Sequence, residues 1–250
     1  MPGLMLKIGS VPYLNARPLL AGLSALPEAS LLLLPPARLA GELRAGRLDA
    51  ALLPVFEPLS HRGYRVVDGA AIASDGPVRS VLLYCRVPPA KVRLLAPDPD
   101  SLTSNALARI LLSERTGAKP REAPPETADA VLAIGDRALR GLPGDWAEIL
   151  DLGEAWKALA GLPFVYALWT LGPGAPEGTA DLLRRAARRG TADLPAAVRD
   201  SGFPEGLALD YLRSALCYGL GERERAGLSA FAGRARQEGL LNGTHELEWA

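Results

Sequence analysis

Three short polar stretches carry the residue types that could bind and act on a small anion. In Val11-Pro12-Tyr13-Leu14-Asn15-Ala16-Arg17-Pro18, Asn15 precedes a prolyl helix start. An asparagine there either caps the helix or offers its amide to a ligand. In Ser101-Leu102-Thr103-Ser104-Asn105, hydroxyls lead into an apolar helix. This too reads as a cap or an anion seat, because a helix start presents unpaired N–H groups and the positive end of the helix dipole. In Asp75-Gly76-Pro77-Val78-Arg79-Ser80, a turn hands Ser80 to a strand. No neighbouring base activates Ser80, which reads either as a plain strand-start serine or as an exposed hydroxyl at a lobe edge. Glu57 and Asp136, each just after a buried strand, are the carboxylates best placed for proton transfer, with helix capping the alternative for Asp136. Two anion seats taken together suit a ligand with two negative groups.

The elements that must position these groups are read from hydrophobic patterning. Apolar strands are expected at 4–11, 30–35 and 49–55, with helices from Asn15 and over 37–48 between them. This β-α-β-α-β order predicts a parallel sheet covered on both faces. Strands at 66–74 and 80–86 flank the Asp75-Gly76-Pro77 turn. The β/α order then repeats: strands at 92–96, 130–134, 148–152 and 164–171, and helices at 103–115, 137–142 and 154–160. From Gly178 the chain reads as helical, including 207–220 and 223–241. The fold expected is α/β with two lobes. A discontinuous first lobe, 1–86 and 170–250, includes the C-terminal helices, and a second lobe spans 87–169. Ligand sites of such sheets lie beyond the strand tips, so the loops at 12–17, 54–57, 97–105 and 135–136 are expected to face a cleft between the lobes.

Composition removes several classes of function. The 250 residues are 48% hydrophobic with zero formal net charge, enough for one large or two modest cores. Basic residues are scattered through helical segments, so neither nucleic acid nor an anionic membrane is an expected partner. Residues 1–6 lack the charged start and long apolar stretch of an export signal, and Leu31–Leu34 is too short to span a bilayer, which points to the cytoplasm. Cys85 and Cys217 read as buried free thiols. His61 and His245 have no partner at metal-binding spacing, so no metal or cofactor is expected.

The motifs in order resemble those of the chorismate dehydratases of the futalosine route to menaquinone. The resemblance rests on the opening stretch through Leu19, Asp49-Ala50-Ala51-Leu52-Leu53-Pro54 and Ser74-Asp75-Gly76-Pro77-Val78-Arg79-Ser80-Val81. It continues through Ser101-Leu102-Thr103-Ser104, Ile134-Gly135-Asp136, Asp151-Leu152-Gly153-Glu154-Ala155-Trp156 and Gly161-Leu162-Pro163-Phe164-Val165-Tyr166-Ala167-Leu168-Trp169. It implies a fold similar to that of type II periplasmic binding proteins and the conversion of chorismate, a dianion, to 3-[(1-carboxyvinyl)oxy]benzoate and water. It also implies active-site roles for Asn15 and Ser80, with Ser101, Thr103 and Ser104 gripping a carboxylate. Tyr13, Arg17, Glu57, Gly135, Asp136, Pro163 and Phe164 complete the expected substrate-binding set. Many relatives carry Arg within the Ser-x-Thr-Ser motif where this chain has Leu102. Arg17 and Arg79 either compensate or face water.

For the reaction so implied, aromatisation drives the elimination, and the enzyme has to orient the substrate, supply a modest base and assist the departing hydroxyl. The substrate's own enolpyruvyl carboxylate is the expected base, with Glu57 or Asp136 the alternative. Two rival readings are a non-catalytic anion-binding protein of the same fold and the pathway's 1,4-dihydroxy-6-naphthoate synthase. The latter family opens on a motif like Ser-Pro-Cys-Pro-Asn-Asp rather than Tyr13-Leu14-Asn15.

Overall fold

A computed structural model of the chain describes residues 5–23, 26–243 and 246–250. Leu4, the expected start of the first strand, and His245 lie outside them. The first elements are β1 (Leu6–Ser10), α1 (Arg17–Leu20), β2 (Ala29–Leu33), α2 (Pro36–Arg44), β3 (Ala50–Pro54), α3 (Phe56–Ser60) and β4 (Arg65–Ser74). Next come β5 (Val81–Cys85), β6 (Leu94–Ala96), α4 (Leu102–Thr116), β7 (Arg121–Glu122), β8 (Ala130–Ile134), α5 (Gly135–Arg140), β9 (Glu148–Asp151) and α6 (Leu152–Ala160). The chain finishes with β10 (Phe164–Leu171), α7 (Thr179–Ala192), α8 (Leu194–Val198), α9 (Glu205–Ser214), α10 (Glu222–Gln237) and β11 (Glu248–Trp249).

These elements form two compact units, one of residues 1–73, 165–222 and 243–250, the other of residues 74–164 and 223–242. The first unit holds the sheet ordered β11-β4-β10-β3-β1-β2, the second the sheet β7-β6-β8-β5-β9. Both sheets are mixed, which corrects the all-parallel expectation: β10 runs antiparallel to β3, and β5 antiparallel to both β8 and β9. A strand buried on both faces is a continuous apolar run whichever way it points, so patterning carries no direction.

Two further differences concern the lobes. Strand β5, read with the first lobe, pairs inside the second unit's sheet. Helix α10 also packs on the second unit, because Gly227 has no side chain: a Cβ there would stand 2.0 Å from the Pro163 carbonyl oxygen. That close approach lets Phe231 meet Phe164 and Trp156 edge to face, with ring centroids 5.1 and 6.3 Å away. The helix expected over 207–220 stops at Ser214 because residues 217 and 218 hydrogen-bond to β4 instead, through Ala73 and Ala71.

In the first unit the sheet carries α2 over Gly9, where a Cβ would meet Leu39 and Leu48. Helix α1 sits against α7 at equally close range. A Cβ on Gly190 would stand 1.9 Å from the Pro18 carbonyl oxygen, and one on Gly22 2.7 Å from the Ala186 Cα. Cys85 is buried, Cys217 half-buried, and both are free thiols. No helix among the described residues is long and apolar enough to cross a membrane.

Gly190→Ala forces a backbone shift between α1 and α7, and overpacking of this kind costs about 1–3 kcal/mol. Thermal unfolding is expected several degrees lower than wild type. Gly233→Ala, which adds a Cβ with nothing within 4 Å on α10, is expected to leave the midpoint equal or higher.

Candidate functional site

In the first unit, β1 ends at Ser10 and the chain turns through a single 3-10 turn, Leu14–Ala16, into α1. Asn15 lies inside that turn. The capping position of α1 is Ala16, which makes no side-chain cap, so the capping reading of Asn15 fails. Its Oδ1 is buried and has no hydrogen-bond partner. Among the described residues, the indole Nε1 of fully buried Trp169 shares that state. Leaving such an atom unpaired costs about 1–3 kcal/mol.

Two long-range tethers hold the turn. The Tyr218 hydroxyl donates to the Asn15 carbonyl at 3.0 Å, and burial, reinforced by Tyr211, keeps that phenol protonated well above its usual range. The Arg17 guanidinium donates to three carbonyls at and beyond the end of α8: Ala197 at 3.3 Å, Arg199 at 2.6 Å and Asp200 at 2.9 Å. A guanidinium so engaged clamps a loop. Tyr13 is half-buried, and its carbonyl accepts from the Ala16 N–H at 3.1 Å.

Glu57, on α3, is buried and already occupied. Its Oε1 accepts from Arg44 at 2.5 Å and from the Tyr64 hydroxyl at 3.2 Å, with His61 Nδ1 at 3.4 Å. Burial, and then the Glu57 charge, push the Tyr64 phenol well above its ordinary value.

In the second unit the strand directions gather the remaining candidates. With β6 parallel to β8, and β5 antiparallel to β8 and β9, one sheet edge receives the start of β5 and the ends of β6, β8 and β9. Ser80 stands just before β5, and its carbonyl accepts from the Gly135 N–H at 2.8 Å, where Gly135 takes φ +57°. Ser80 is 1% exposed, so of the two readings offered for it the solvent-facing hydroxyl is the one the structure removes.

Ser101 caps α4, its Oγ accepting from the Ser104 N–H at 3.1 Å while its hydroxyl donates to Ser104 Oγ at 2.8 Å. Ser101, Thr103 and Ser104 are all buried, and the capping reading of this stretch holds for Ser101. Asn105 fastens the approach to α4 by exchanging hydrogen bonds with the Asp98 backbone, at 2.9 and 2.7 Å. The buried Asp98 carboxyl is pushed upward by desolvation and lies 3.4 Å from Arg137. Asp136 is half-buried in the first turn of α5, whose capping position is Ile134, so it is not the cap. Leu102 is 54% exposed.

Pro163 and Phe164 are packing groups. The Pro163 carbonyl accepts from Trp156 Nε1 at 3.1 Å, and the Phe164 ring is enclosed by Trp156 and Phe231. Sequence reasoning missed Tyr218, for which nothing in the chain signals a role, and Asp151. The spacing Asp151-x-x-Glu154 is a helix-start signature, but its cross-loop bonds are invisible to spacing.

A family model described as menaquinone biosynthesis matches residues 6–237. A chorismate dehydratase of Thermus thermophilus is 31% identical over 228 residues, covering 79% of this chain and 83% of that one. One from Campylobacter jejuni is 33% identical over 132 residues, 53% of this chain and 49% of that one. Among solved structures, an Archaeoglobus fulgidus protein matches with a TM-score of 0.73 at 16% identity, covering 94% of this chain and 98% of its own. The alkanesulfonate-binding protein SsuA of Xanthomonas axonopodis pv. citri, bound to MOPS, matches at 0.63 and 14% identity, covering 97% and 96%. At such identities the likeness shows the fold, which is that of the periplasmic binding proteins.

Arg17→Ala removes the guanidinium from the last turn of α8 and the two loop carbonyls beyond it. Amide hydrogen exchange over residues 197–203 is expected to quicken and the melting temperature to fall by several degrees. Unchanged exchange there would mean that the guanidinium serves a ligand instead.

Proposed function

The chain belongs to this menaquinone-biosynthesis family, and from that premise we propose that it removes water from chorismate to give 3-[(1-carboxyvinyl)oxy]benzoate, in the futalosine route. The observation that carries the reading is the 31% identity to a chorismate dehydratase over most of both chains. The proposed place of action is the cytoplasm.

The reaction takes a proton from the ring carbon bearing the ether and expels the neighbouring hydroxyl, leaving an aromatic ring. We assign the hydroxyl cluster of Ser101, Thr103 and Ser104, with the start of α4, to a carboxylate of the substrate. Asn15 and Ser80 hydrogen-bond the developing charge or the leaving hydroxyl. The unpartnered Oδ1 is an acceptor that can orient the substrate's O–H, while only the donor side of the amide, its Nδ2, can meet developing negative charge. For the base we favour the substrate's enolpyruvyl carboxylate. The engagement of Glu57 by Arg44, Tyr64 and His61 speaks against that residue, and Asp136 is the remaining protein alternative.

Purified protein incubated with chorismate is expected to develop the ultraviolet band of an aromatic product, and an unchanged spectrum would overturn the reading. Asn15→Asp puts a negative charge beside an anionic substrate and should lower kcat/KM by at least about 100-fold, the scale of losing an oriented hydrogen-bonding group. Wild-type kcat/KM in that variant would remove Asn15 from the mechanism.

A further inference from the structure

The residue preceding Ser80 is held in a conformation that its own chemistry disfavours. Arg79 takes φ +64°, a left-handed backbone that costs a side-chain-bearing residue about 1–2 kcal/mol. What holds it is the carboxylate of Asp151. Its Oδ2 accepts from the Arg79 N–H at 2.7 Å, and its Oδ1 from the Val78 N–H at 3.0 Å. The same carboxylate caps α6, accepting from Gly153 at 2.9 Å and Glu154 at 3.1 Å. One side chain thus fastens the turn before Ser80 to the helix that follows β9, and β9 pairs with β5, the strand that Ser80 enters.

Helix α6 grips the far end of the same turn too. Lys157 meets Asp75 at 2.5 Å, and Arg223 adds a second contact at 2.9 Å, which together hold the Asp75 carboxyl below its usual range. The segment 75–79 is therefore stapled at both ends, and Ser80 leaves it in a direction set by its last peptide units.

We propose that Asp151 is a positioning residue for Ser80: by accepting from Val78 and Arg79 it fixes the left-handed step that aims the Ser80 hydroxyl. This deepens the proposed dehydratase function and rests on the role given to Ser80 there.

The test uses Asp151→Asn, because asparagine is as good a helix cap as aspartate, so α6 stays formed. Its amide nitrogen, however, sets a donor against one of the N–H groups that the carboxylate served. With chorismate, kcat is expected to fall about tenfold or more with KM within twofold, and Ser80→Ala is expected to lose kcat as well. Combining the two should cost nothing beyond Ser80→Ala alone, since a residue acting through Ser80 has nothing left to act on. Multiplying losses would overturn the proposal, as would full activity in Asp151→Asn. Amide exchange judges the brace independently of turnover: Val78, Arg79 and Ser80 are expected to lose protection in Asp151→Asn while α6 keeps its own. Retained protection at those three amides refutes the brace. If wild-type protein fails to convert chorismate, the dehydratase reading falls while the exchange result still decides the brace.

Discussion

A buried acceptor with nothing to accept from is the constraint around which the first unit is arranged. The Asn15 amide oxygen is buried without a donor, at a cost of about 1–3 kcal/mol, and the backbone that carries it is held from several sides. Tyr218 fixes the backbone carbonyl of the same residue, and Arg17, two residues on, is anchored to the loop beyond α8. Helix α1 cannot slide, because its backbone touches that of α7 where Gly190 and Gly22 leave no room for a side chain. Each restraint is unremarkable alone. Together they fix the backbone that carries that polar atom.

The second unit solves a similar problem by a different route. Its polar groups are mutually satisfied: Ser101 with Ser104, Asn105 with Asp98, Gly135 with Ser80. Strand direction gathers them along one sheet edge, and the bracing of the loop before Ser80 comes from α6. That helix is itself seated by an aromatic cluster, with Trp156 between Phe164 and the α10 residue Phe231. The packing of α10 thus reaches the turn before Ser80 through two layers, apolar contact first and carboxylate hydrogen bonds second.

Much of this was legible in the chain. Strands 130–134 and 164–171 are where the apolar runs put them, and helix α4 follows its hydroxyl-rich start within a residue. The resemblance located the family and the binding-protein fold. Three things were hidden, each for a physical reason. Strand direction was hidden because a run such as Val81–Cys85 is apolar on both faces whichever way it is paired. The allegiance of α10 was hidden because it depends on the clearance at Gly227, which looks like any helix glycine until Pro163 is seen against it. Individual roles were hidden because Arg17 and Glu57 look like ligand groups in sequence, and only their long-range partners, the loop carbonyls and the Arg44 side chain, show them occupied.

The glycines at 22, 190 and 227 carry a consequence for how this chain can vary. They sit in or beside helices, where alanine is ordinarily the better residue, yet each faces a backbone that a single methyl would strike. Across divergent descendants such sites would stay invariant although they touch no reactant. A reader ranking columns by invariance alone would then count spacing requirements among the chemical ones.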